Sequence, residues 1–169
     1  MAELLASVVH EVREAFYVLD GEILEGNQPD GPGSWGQESS PPGQDWLDVG
    51  SSSVILWGST RDAARYVRFE LWGGQPPAGQ SWQKSWEGEL FLASGKIHIM
   101  NYSEADFHHL LFDVDQREAT WRVRIQTKLL ENDREPGFPT NIYQVDLYNM
   151  QLWQSSVGPP LPNMSPAAR

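Results

Sequence analysis

From residue 53 onward, apolar and polar positions alternate with a period of two, the spacing of a strand that buries one face. Residues 65–72 put Val67, Phe69 and Leu71 on one side and Tyr66, Arg68, Glu70 and Trp72 on the other. Residues 120–127 repeat this, with Trp121, Val123 and Ile125 inward and Arg122, Arg124 and Gln126 outward. Segments 89–93 and 96–100 flank Ser94-Gly95, which predicts a tight hairpin turn because glycine supplies the positive φ such turns need. Segments 54–57, 109–114 and 142–153 complete a series of short strands. Residues 7–20 are mixed. Leu5, Val8, Val12 and Phe16 would line a helical face, but Phe16-Tyr17-Val18-Leu19 favours a strand ending at Asp20-Gly21, and the segment reads mostly as strand. The pattern predicts a single all-β domain over residues 1–154, an antiparallel β-sandwich of eight to nine strands.

Three stretches rich in glycine, proline and polar residues separate the strands, at 26–53, 73–85 and 131–140. The first is uncommonly long, and connections of that length in compact domains are usually functional or disordered. Residues 155–169, with four prolines, read as a flexible tail. No apolar run approaches the roughly 18 residues of a membrane span. The start, Met1-Ala2-Glu3-Leu4-Leu5, lacks a basic region ahead of an apolar stretch, so a cytoplasmic location is expected. Cysteine is absent, which removes disulfides and thiolate chemistry.

Charge changes the picture most. The net charge is −11, and it is unevenly spread. Residues 1–62 carry eleven acids against Arg13 and Arg61, whereas residues 63–130 carry eight of each sign. Such a field repels nucleic acid and anionic membranes and attracts basic protein surfaces. Catalytic motifs are missing: there is no Gly-x-Ser-x-Gly elbow, no phosphate-cradling glycine loop and no His-Glu-x-x-His helix. Neighbouring His108 and His109 would point to opposite faces of a strand, which leaves Glu104, Asp106 and His108 as the nearest approach to a metal cluster. A solvated polar edge is the expected reading there, with no metal, no cofactor and no enzymatic activity.

Eight tryptophans remain to be placed. Trp57 and Trp121 fit the core by parity and Trp72 falls outward, while Trp35, Trp46 and Trp82 lie in loops. A loop tryptophan either tucks back to pin its loop or stands out as a contact anchor, since interface hot spots favour tryptophan. Asp45-Trp46-Leu47-Asp48 sets one indole between two acids. The expected contact surface is therefore Asp45, Trp46 and Asp48, joined by Asp30, Trp35 and Glu38.

Phe16-Tyr17-Val18, Asp45-Trp46, Val67-Arg68-Phe69, Leu111-Phe112-Asp113 and Tyr143-Gln144-Val145-Asp146 together resemble the bacterial competence-nuclease inhibitors. The resemblance extends over residues 7–153. It implies an acidic β protein that binds and silences a nuclease; segments 26–53 and 72–86 depart from the family pattern, and no binding residue is carried over. Charge and resemblance agree on a basic protein partner, a nuclease or toxin. The competing reading is a carbohydrate- or small-ligand-binding sandwich that uses exposed tryptophans as stacking platforms.

Overall fold

The computed structural model describes residues 2–12, 15–21, 38–59, 63–79, 81–101, 107–131 and 144–154, with backbone alone at 101 and 107–111. Ten strands are described: β1 (Leu4–Val12), β2 (Phe16–Asp20), β3 (Leu47–Val49), β4 (Ser53–Leu56), β5 (Ala64–Trp72), β6 (Lys84–Leu92), β7 (Lys96–Asn101), β8 (Phe107–Asp113), β9 (Ala119–Glu131) and β10 (Gln144–Trp153). They form two five-stranded sheets, ordered β1-β5-β10-β9-β6 and β3-β4-β2-β7-β8. The chain is thus nearly all β, with ten strands among the described residues where eight to nine were expected. The segment read mostly as strand from 7 to 20 contributes two strands, β1 and β2, one to each sheet.

The alternation is what lets the two sheets share one core. Val67 and Phe69 of β5, Val123 and Ile125 of β9, and Met150 and Leu152 of β10 are fully buried on one side. Phe16, Leu47, Val54, Leu56 and Ile99 are fully buried on the other, all in the same apolar cluster. Phe69 stacks on Phe112 at 5.6 Å between ring centroids, and Phe16 meets Tyr148 edge-on at 5.5 Å; both pairs cross from sheet to sheet. Each such side chain contributes about 1.5–3 kcal/mol by leaving water, so the core, rather than any loop, fixes how the sheets face each other.

Four expectations are corrected. The first sheet is not wholly antiparallel: β10 lies between β9 and β5, antiparallel to β9 but parallel to β5. Periodicity cannot show this, because parity is blind to strand direction. Second, Ser94-Gly95 is not a hairpin turn. Gly95 does have the positive φ, 71°, but β6 and β7 belong to different sheets, and the turn is a corner between them. Buried Asp20 braces that corner by accepting bonds from the Ser94 amide at 3.0 Å and hydroxyl at 2.9 Å. Third, the end of the 26–53 stretch is structured: β3 pairs with β4, and Ser39 bridges Val49; residues 22–37 lie outside the described residues, as do the metal candidates Glu104 and Asp106 and the tail 155–169.

Fourth, the outer face of the first sheet is not simply wet. Glu70, Arg124, Gln126, Asn149 and Gln151 are buried there. Pro76 and Pro77 come over this face, and Arg124 Nη1 donates to their carbonyls, each at 3.2 Å. Glu70 accepts from Trp72 Nε1 at 2.9 Å and Gln151 Nε2 at 2.8 Å and pairs with Arg68 at 2.9 Å. Buried polar groups persist only when so paired. Cross-strand pairs form with β6: Glu87 with Arg124 and Glu89 with Arg122. Glu70→Ala should therefore cost about 2–3 kcal/mol in urea denaturation, whereas Glu89→Ala, at an exposed pair, should stay within about 1 kcal/mol.

Candidate functional site

The acidic motif 45–48 enters β3 at one end of the two sheets, and alternation there is broken because Trp46 and Leu47 are both buried. Trp46 is only 5% exposed. Its Nε1 donates to Gln44 Oε1 and its carbonyl accepts from the Trp57 amide at 2.9 Å, so the indole pins its loop to β4 and does not stand out as a contact anchor. Asp48 is half-buried and occupied: it accepts from the Ser40 hydroxyl and from Trp57 Nε1 at 3.0 Å. Glu38 accepts from the Ser53 hydroxyl at 2.5 Å. Asp45 alone of these four projects freely. Its side chain is 90% exposed, tied only to half-exposed Lys84 at 3.2 Å. Asp30 and Trp35 lie outside the described residues.

Asp45 and Trp46 form the rim of a pocket of about 190 Å³ that reaches across to the first sheet, where Lys84, Thr127, Asp146 and Tyr148 line it. The floor is a buried polar assembly. Asp146, 1% exposed, accepts from the Ser59 amide at 3.0 Å and hydroxyl at 2.5 Å, and Arg65 Nε lies 3.6 Å away, an ion pair rather than a hydrogen bond. Gly58 sits directly under that guanidinium: a Cβ there would come within 2.1 Å of Arg65 Nη2. Tyr148 donates its hydroxyl to the Trp57 carbonyl at 2.8 Å. Burial first, and the Asp146 charge second, push the Tyr148 hydroxyl well above its ordinary value, so it stays protonated.

The sequence reading missed Arg65, Asp146 and Tyr148. A signal was available. Arg65 shares parity with Val67 and Phe69, and Asp146 with Tyr148 and Met150, so two opposite charges occupy inward positions and call for a partner. Chemically the assembly braces the pocket, since Asp146, Ser59 and the Tyr148 hydroxyl are hydrogen-bonded and Arg65 is ion-paired. The same holds at the corner, where Ser94, Asp20 and His98 gather around Gly21. The Ser94 hydroxyl is spent on Asp20, the Gly21 amide and the Lys96 amide, which is turn bracing and not an activated nucleophile. No group of three His, Cys, Asp or Glu among the described residues is placed to hold a metal ion.

An acid-rimmed pocket at one end of two facing antiparallel-rich sheets defines a class of β protein by architecture alone. No protein-family model matches the chain, and no curated protein matches it in sequence. Among solved structures, the crystal structure of ComJ from Bacillus subtilis, described as an inhibitor of the DNA degrading activity of NucA, is similar with a TM-score of 0.53 at 13% identity. The match covers 92% of this chain and 99% of ComJ, and at that identity it establishes a shared fold. A second structure, described as crocagin biosynthetic gene J, aligns with a TM-score of 0.49 at 12% identity over 90% of this chain and 97% of its own.

Two outcomes test the floor. Gly58→Ala should destabilise by about 1–3 kcal/mol, because the guanidinium must move off Asp146. Raised above the ordinary tyrosine value near 10, Tyr148 binds its proton more tightly folded than unfolded. Its contribution is full below that pH and falls away as pH rises beyond it. Thermal melts between pH 8 and 11 should show that alkaline loss, and Tyr148→Phe should reduce it.

Proposed function

We propose that the chain is a non-catalytic protein-binding module, an inhibitor or immunity protein that holds a basic nuclease or toxin against its acidic N-terminal third. In this reading the two sheets are one β-sandwich that works in the cytoplasm without a cofactor. The observation that carries it is the fold shared over nearly the full length with ComJ, described as an inhibitor of a DNA-degrading activity. Charge supports it independently, through the eleven acids of residues 1–62. A basic partner gains association rate and orientation from such a field. Asp45 is the described acid best suited to meet it, because its carboxylate is solvated and its link to Lys84 is the exposed kind that contributes little. Asp48 and Glu38 then act by shaping the rim behind it, and Trp46 by holding the rim in place.

The sugar-binding alternative needs exposed indoles. Among the described residues Trp46, Trp121 and Trp153 are buried, and Trp57, Trp72, Trp82 and Trp86 are half-buried. That leaves no fully exposed indole among the described residues.

The test is capture on the immobilised chain at low salt, followed by rate measurements on the basic protein retained. The association rate should fall steeply as salt rises, and Asp45→Asn should lower it about twofold and flatten the salt dependence. A salt-independent rate, unchanged by Asp45→Asn, contradicts the proposal.

A further inference from the structure

The outer face of the first sheet holds a second cleft whose charge is opposite to that of the chain. Side chains there stand in rows across the strands. One row runs Glu11, Tyr66, Leu147, Lys128 and the next Val9, Arg68, Asn149, Gln126. Pro76 and Pro77 cover the neighbouring row, where Arg124 bonds to their carbonyls. The first row and the Val9–Arg68 end of the second stay open, walled by Ser81 and Trp82, as a cleft of about 330 Å³. Pockets for small organic ligands start at roughly that size.

The lining is specific in kind. Val9 and Leu147 give it an apolar floor, Tyr66 and Trp82 supply ring surface, and Arg68 and Lys128 are its charges; no carboxylate lines it. Lys128 Nζ lies 5.0 Å from the centre of the Trp82 ring, and among the described residues it pairs with no carboxylate. Arg68 bonds to Asn149 and Glu70 through Nε, and its side chain is 45% exposed, which leaves its Nη groups able to donate. Glu70 pairs with Arg68 at 2.9 Å, which leaves Lys128 as the cleft's unpaired charge among the described residues; acids farther away act weakly, because at physiological salt fields decay over about 8 Å. Two cations beside aromatic walls recognise a flat ring that bears negative charge.

We propose that this cleft binds a planar aromatic anion, a flat ring carrying one carboxylate, sulfonate or phosphate group, through Lys128 and Arg68 with Trp82 and Tyr66 against the ring. The site is separate from the acidic rim and independent of the inhibitor reading. Calorimetric titration of the full chain with naphthalene-2-sulfonate, neutral 2-naphthol and inorganic sulfate tests it. The sulfonate should bind, and the naphthol and sulfate should bind at least about tenfold more weakly. Lys128→Gln should weaken the sulfonate about tenfold and Lys128→Arg should retain it, with circular dichroism melts unchanged in both. Trp82→Ala should weaken it as well; if that variant fails to fold, the Lys128 pair decides. Equal binding of 2-naphthol, undiminished binding to Lys128→Gln, or no binding to the native chain at millimolar sulfonate would overturn the assignment.

Discussion

The buried contact between Asp146 and its neighbours is the constraint on which the arrangement turns. Asp146 and Arg65 are register partners at the start of the parallel β5–β10 pair. Parallel strands cannot be joined by a tight hairpin, so their register has to be set by something other than a turn. Ser59 and Arg65 set it here by converging on one carboxylate, and Gly58 lets the guanidinium lie flat against the chain that leads into β5. Shifting β10 by one residue would turn Tyr148, Met150 and Leu152 out of the core. A buried ion pair adds little net stability once desolvation is counted, but removing one partner is costly, which makes this pair a device for specifying register.

From that point the candidate site follows by contact. Tyr148, two residues beyond Asp146, holds the Trp57 carbonyl; Trp57 holds Asp48; and the Trp57 amide holds the Trp46 carbonyl. The acidic rim is thus tied through a chain of hydrogen bonds to the centre of the opposite sheet. Asp45 is presented on a rigid mount, and a rigid mount limits the ordering cost of binding. On the far face, the roof over Arg124 and Glu70 does comparable work, burying a polar network and leaving beside it a basic, aromatic cleft.

Much of this was legible in the sequence, and the failures share a cause. The parities of β5 and β9 were readable because Val67, Phe69 and Leu71, and Trp121, Val123 and Ile125, alternate with polar or outward-facing neighbours. Gly95 was readable as a positive-φ position, but whether the strands around it pair is decided by the core, not by the turn. Glu70 and Arg124 read only as outward, because nothing in the local alternation reveals that Pro76 and Pro77 come back over Arg124. Trp46 looked equally suited to two fates, and the choice fell to the hollow beneath β3 and β4. Arg65 and Asp146 stand 81 positions apart, and without the topology their shared inward parity identifies neither partner.

The proposed role is that this acidic β protein silences a basic nuclease by covering it. The most direct measurement is DNA cleavage by the basic nuclease captured on the immobilised chain, titrated with the purified protein at low salt. The account predicts that cleavage falls in proportion to added protein and is lost at equimolar amounts, with activity returning as salt rises. Cleavage that continues undiminished in the presence of excess protein would contradict it.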